Sequence, residues 1–119
     1  EDYLRILRFF RFHARYGAGE PDALSLAACV AHQEGLDRLS PERIRQEMFK
    51  LMAAPGAVPT LKLMAESGIL AHVVSYTEAW EVLARLPPDP VLRLAALSRE
   101  PRSMKDNWRL SNQEADRLE

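Results

Sequence analysis

Helix starts and stops recur along this chain from end to end, and strand signals are almost absent. Ser40-Pro41-Glu42 combines three start signals. A serine oxygen accepts from a free N–H of the first turn, a proline sits where no amide donor is needed, and an acid meets the positive helix end. Asp89-Pro90 has the same character. Gly17 and Gly19 end a first helix, and Pro21 or Asp22 begins a second that runs through LSLAACVAHQ to a stop at Gly35. Ala54-Pro55-Gly56 breaks the third. A fourth is expected over about 58–67 before Gly68, a fifth over roughly 77–86 before Pro87-Pro88, and a sixth over about 90–99. Residues 101–107 read as loop or a short helix, and Ser111 caps a last segment. No period-two alternation and no Asn-Gly turn interrupts this pattern. The chain is therefore expected to be all-α, with six to seven short helices and no internal repeat.

The first segment is amphipathic. At about 100° per residue, Tyr3, Ile6, Leu7, Phe10 and Ala14 share one face. Arg5, Arg8, Arg11 and Arg15 spread over the other side, with Phe9 and Phe12 flanking them. No acid lies between Tyr3 and Gly19, so a basic strip stands in a chain whose net charge is only −1. That near-neutral balance argues against nucleic-acid binding over the whole surface. In the third helix, Ile44, Met48, Phe49, Leu51 and Met52 supply the buried stripe.

The 119 residues are enough for one domain or two closely packed helical subdomains, with a hydrophobic core. Cys29 is alone in an alanine-rich stretch, which excludes a disulfide framework and reads as a small core residue in a reducing, cytoplasmic setting. His13, His32 and His72 are too scattered for a metal cluster and read as structural or solvent-facing. No apolar run approaches the ~20 residues of a membrane span, so no membrane partner is expected. The chain opens without methionine and stops at Glu119 inside a polar helical pattern, so a fragment of a longer protein is expected.

Glu1-Asp2-x-x-Arg5 is a weak signal by itself, because most such triplets are surface ion pairs worth a few tenths of a kcal/mol. Its neighbours make it specific. EDYLRILRFFRFHARYG at 1–17, LSPERIRQEMFKLM at 39–52 and, more weakly, LKLMAESGIL at 61–70 occur in order. VLRLAAL at 91–97 and WRLSNQEADRL at 108–118 follow. The run resembles the neck and body region of the tRNA nucleotidyltransferase and poly(A) polymerase family, which includes bacterial CCA-adding enzymes. The resemblance implies a neck-like helical domain over 1–54 and a body-like region over 55–119, with the boundary at 55–59.

It also implies roles. Asp2 and Arg5 would hydrogen-bond the Watson–Crick edge of CTP or ATP, with Glu1 orienting Arg5. Cytosine and adenine both show an amine donor beside a ring-nitrogen acceptor, so a carboxylate beside a guanidinium complements both. Guanine and uracil present a carbonyl in place of that amine and leave a group unpaired, at ~1–3 kcal/mol. Arg8 could reach the triphosphate or brace Asp2, and Arg11 and Arg15 could meet RNA phosphate or simply form a basic helix face. Ser40, Glu42, Arg43, Arg45 and Glu47 resemble the motif that buttresses the base-reading helix; Arg43 and Glu47 are four apart, on one face. The competing reading is a capped surface helix with its own ion pairs. Phe9, Phe12 and Tyr16 could stack bases, but aromatics at helical spacing are expected in the core, and Trp80 and Trp108 carry no stronger case.

The Gly-Ser nucleotide loop of the family's catalytic head and its Asp-x-Asp pair, which holds Mg2+, do not occur here, so no catalytic residue, cofactor or metal site is assigned to this chain. The expected partners are CTP or ATP, a tRNA or other RNA 3′ end, and a catalytic domain N-terminal to these residues. A poly(A) polymerase of the same family, or a helical scaffold without nucleotide contact, remains the alternative.

Overall fold

A computed structural model describes residues 3–17 and 21–99. Six α-helices are formed there: α1 (Leu4–Tyr16), α2 (Ala23–Ala31), α3 (Pro41–Met52), α4 (Ala57–Glu66), α5 (Trp80–Arg85) and α6 (Pro90–Leu97). Two 3-10 segments, Gln33–Arg38 and Leu70–His72, link them. Among the described residues, β pairing is confined to one isolated bridge between Tyr76 and Ser98. The all-α expectation holds. The segment after Ser111 lies outside the described residues, as do Gly19 and 101–107.

The start signals act as the sequence requires. Ser40 Oγ accepts from the Arg43 amide at 3.3 Å, and Pro41 takes the first helical position. Asp22 accepts from both the amide and the hydroxyl of Ser25, at 2.9 and 2.7 Å, and these bonds hold its carboxyl below the usual range. Asp89 Oδ1 receives the amides of Val91 (2.9 Å) and Leu92 (3.3 Å).

Two helices differ from expectation. The second does not run to Gly35: it ends at Ala31, and the chain tightens into the first 3-10 segment. Gly35 lies under the Tyr3 ring, where a Cβ would come within 2.0 Å of Cδ1, so its role is close approach rather than helix termination. The fifth helix starts at Trp80 rather than 77. The Thr77 amide and hydroxyl are spent on the Leu97 and Ala96 carbonyls, at 2.6 and 2.9 Å, so this stretch is tied to α6 instead of entering α5.

The core is one continuous cluster. Leu7 and Phe10 of α1, Met48, Leu51 and Met52 of α3, Leu61 and Met64 of α4, Leu83 of α5 and Leu94 and Leu97 of α6 are all buried within it. It crosses the 55–59 stretch without interruption. α1 packs on α3 and α4, and α3 packs in turn on α6. The turn before α4 touches α1 backbone to backbone, the Gly56 amide donating to the Ala14 carbonyl at 2.8 Å. Arg93, buried on α6, donates through Nη1 to the Met52 carbonyl and, at 3.2 Å, to that of Ala54. It thereby closes the C-terminal end of α3, where carbonyls lack helical partners. Burial lowers its guanidinium pKa, because the charged form loses water.

Candidate nucleotide and RNA interface

α1 is amphipathic enough to be fixed on one side and open on the other. Leu4, Ile6, Leu7, Phe10 and Ala14 are buried, which leaves Arg5, Arg8, Phe12, Arg15 and Tyr16 on the exposed side. Glu1 and Asp2 lie outside the described residues. Arg5 is exposed and lines a cleft of about 890 Å³, together with Tyr3, Phe9, Cys29, His32 and Arg38. Arg38 places its guanidinium 5.9 Å from the centre of the Tyr3 ring, which itself covers Gly35. Cys29 is buried at the cleft wall, and desolvation raises its thiol pKa.

Beneath the basic strip sits one acid from another helix. Glu47 of α3 keeps 7% of its side-chain exposure, and Arg8 and Arg11 of α1 converge on it. Arg8 Nε donates to Oε2 at 3.5 Å. Arg11 Nε stands 3.0 Å from Oε1 but off the hydrogen-bond axis, so that contact is charge attraction, and Oε1 accepts no aligned bond. A carboxylate removed from water is costly unless cations face it, and α1 supplies two. The sequence reading placed Glu47 outside the apolar stripe of α3; it is buried within it, beside Ile44, Met48, Leu51 and Met52.

The rest of the proposed buttress is arranged differently. Glu42 and Arg43 are exposed on α3, and Arg45 is half-buried. Arg43 and Glu47 therefore do not share a burial environment, although they are four residues apart. Arg15 is exposed and lies 5.9 Å from the centre of the Tyr16 ring. The core expectation for the aromatics fails at two positions: Phe12 is 63% exposed and Tyr16 66%, because both fall on the far side of the α1 wheel from Phe10. Phe9 does pack partly against the core, edge-on to Phe10 at 5.1 Å. Trp80 is partly buried, and Trp108 lies outside the described residues.

Arg38, Gln33 and Arg93 carried no sequence signal. His72 brings its ring nitrogens to Asp37 (3.2 Å) and to Gln33 Oε1 (3.1 Å), joining the two 3-10 segments. Gln33 Nε2 donates to the carbonyls of Val30 and Ser67, at 3.0 and 3.3 Å. Among the described residues, no group of three or more His, Cys, Asp or Glu could hold a metal ion, and no helix is long and apolar enough to cross a membrane.

The arrangement defines a helical module in which one arginine-bearing helix is held by a buried acid and kept open on its outer side. Residues 20–81 match the family described as "Probable RNA and SrmB- binding site of polymerase A". The chain is 34% identical over 110 residues to the mitochondrial CCA tRNA nucleotidyltransferase 1 of Danio rerio, covering 84% of this chain and 26% of that protein. It is 37% identical over 90 residues to the CCA-adding enzyme of Geobacillus thermodenitrificans, covering 71% of this chain and 21% of the relative. The multifunctional CCA protein of Alkalilimnicola ehrlichii is 35% identical over 78 residues, or 62% of this chain and 19% of its own length. The chain thus belongs to the tRNA nucleotidyltransferase and poly(A) polymerase family. It spans about a quarter or less of the length of these relatives.

Proposed function

We propose that this chain is the neck and part of the body of a cytoplasmic RNA 3′-end nucleotidyltransferase, the part that reads the incoming base and helps hold tRNA during CCA addition. The observation that carries the proposal is the convergence of Arg8 and Arg11 on buried Glu47. It fixes α1 against α3 at mid-helix and leaves Arg5, one turn away, exposed at a cleft large enough for a nucleoside. Arg5 then serves as the donor half of the base template, Asp2 as the acceptor half, and Glu1 as the residue that orients Arg5. Residues 1–54 act as the neck and 55–119 as the body. Arg8 reaches toward the nucleotide from the middle of the strip, where it also borders the RNA side that Arg11 and Arg15 form. Glu47, with Glu42 and Arg43 on the same helix, supports α1 rather than touching the nucleotide.

On this reading the Mg2+ that activates the attacking hydroxyl is held by a catalytic domain elsewhere in the same protein. The names of the relatives support CCA addition. The family description supports a second reading, a poly(A) polymerase, which needs the same base edge for adenine alone.

The test is nucleotide choice in the full-length protein. Asp2→Ala and Arg5→Ala should each weaken discrimination of CTP and ATP against GTP and UTP by roughly 1.5–3 kcal/mol, the worth of a charged hydrogen bond. Arg5 is exposed, so its melting temperature should stay put. Unchanged selectivity would overturn the template. Use of ATP alone by the wild-type protein would select the poly(A) reading.

A further inference from the structure

Phe12 and Tyr16 are the exposed aromatics among the described residues, and their ring centres lie 4.8 Å apart. One turn of helix separates them, and Arg15 lies beside the Tyr16 ring. On the wheel, Arg15, Arg8, Phe12, Arg5 and Tyr16 fall within an arc of about 100°. They form one stripe, some 16 Å long from Arg5 to Tyr16 at about 1.5 Å per residue. No carboxylate belongs to α1, and among the described residues the acid paired with it, Glu47, is buried beneath rather than beside the stripe. Core packing does not explain two large rings kept in water. Among the described residues, charge pairing accounts for Arg8 alone of the three arginines around them, and Arg8 keeps more than half of its side chain exposed while it faces Glu47.

We propose that this stripe binds a short single strand of RNA, with bases stacked on Phe12 and Tyr16 and phosphates met by Arg8 and Arg15. A polyanion that also carries flat π faces complements both halves of the surface, because stacking and cation–π contact act on any base while the arginines follow the backbone. An apolar peptide would leave the arginines unmatched, and a second copy would bring like charge to like charge. The strand runs along the outer side of α1 between Arg15 and Arg5. The inference rests on the RNA-substrate part of the function proposed above, and not on the template role of Asp2 and Arg5.

The experiment compares a labelled short oligoadenylate with an abasic strand of equal length, by fluorescence anisotropy with the whole chain. The wild-type protein should bind the base-bearing strand at least about fivefold more tightly, as stacking on even one ring requires. In Phe12→Ala/Tyr16→Ala that gap should close, while affinity for the abasic strand and its salt dependence are retained. Phe12→Leu/Tyr16→Leu, which keeps apolar bulk without a π face, should behave the same way and guards against a misfolded alanine variant. Equal affinity of the wild type for the two strands overturns the proposal, and so does a gap that survives both variants. Self-association abolished by the same substitutions, seen by sedimentation, would assign the rings to a contact between copies and also overturn it. The template reading fails separately: unchanged nucleotide selectivity in Asp2→Ala would leave this base-dependent binding intact.

Discussion

Glu47 makes the sharpest demand among the described residues, since it is a buried carboxylate held by two cations from another helix. Glu47→Gln keeps its shape and removes its charge. We expect a stability loss of about 1–2 kcal/mol, at the low end for a charged hydrogen bond because Arg8 is more than half exposed. The function proposed above requires that turnover of the full-length protein with CTP and ATP fall together in this variant, since the proposed support of α1 would be lost while Asp2 and Arg5 are unchanged. Exposed Glu81 on α5 is the control, and Glu81→Gln should stay within about ±0.5 kcal/mol with unchanged kinetics. Identical behaviour of the two variants would remove the support role. Cys29 gives a second residue-level check. Burial raises its thiol pKa, so less thiolate is present at neutral pH than for a free cysteine. Its reaction with a disulfide reagent should be slower than that of a free thiol and should accelerate with rising pH; a rate equal to that of free cysteine at pH 7 would contradict its burial.

At the level of elements, what was legible in the sequence follows a physical divide. Caps are local, so Ser40, Asp22 and Asp89 could be read from a few neighbouring residues. The buried faces of α1 and α3 also followed from periodicity, except at Glu47, where a charged residue occupies a core position because its partners come from a distant helix. The misplaced start of α5 has the same origin. Thr77 is helix-compatible by local rules, but it is claimed by α6 across a gap in sequence. The exposed aromatics failed for a related reason: type suggested core, while position on the wheel decided against it. Gly56 tests such a distant contact directly. A Cβ there would come within 2.6 Å of the Ala14 carbonyl oxygen, a backbone atom that cannot swing aside. Gly56→Ala should therefore lower stability by about 1–3 kcal/mol through overpacking, measured by chemical denaturation. An unchanged denaturation midpoint would show that the α1–α4 approach is looser than described.

For the whole molecule, one core joins the segments on either side of residues 55–59, and Arg93 ties α6 to the end of α3. Arg93→Met should cost about 2 kcal/mol, by leaving the Met52 and Ala54 carbonyls without their buried donor. The loss should appear as a shift of a single unfolding transition rather than as a separate early melt of α6. The function proposed for the chain makes a further demand on the molecule as a whole. Incubated with tRNA, CTP, ATP and Mg2+, the 119-residue chain should leave the tRNA length unchanged, and any nucleotide addition would overturn its assignment to the neck and body. The family was legible because two stretches, 1–17 and 39–52, resemble its motifs, whereas the cleft beside Arg5 was not, since Arg38 and His32 reach it only through the path of the chain after α2.

The Arg93 clasp also sets a clock. Its carbonyl partner Met52 precedes it by 41 residues. At the ribosomal pace of about 5–20 residues per second, α3 waits roughly 2–8 s after its own synthesis before the group that closes its end has been made. During that interval the Met52 and Ala54 carbonyls have no donor from α6, so the end of α3 is closed by a group made well after the helix itself.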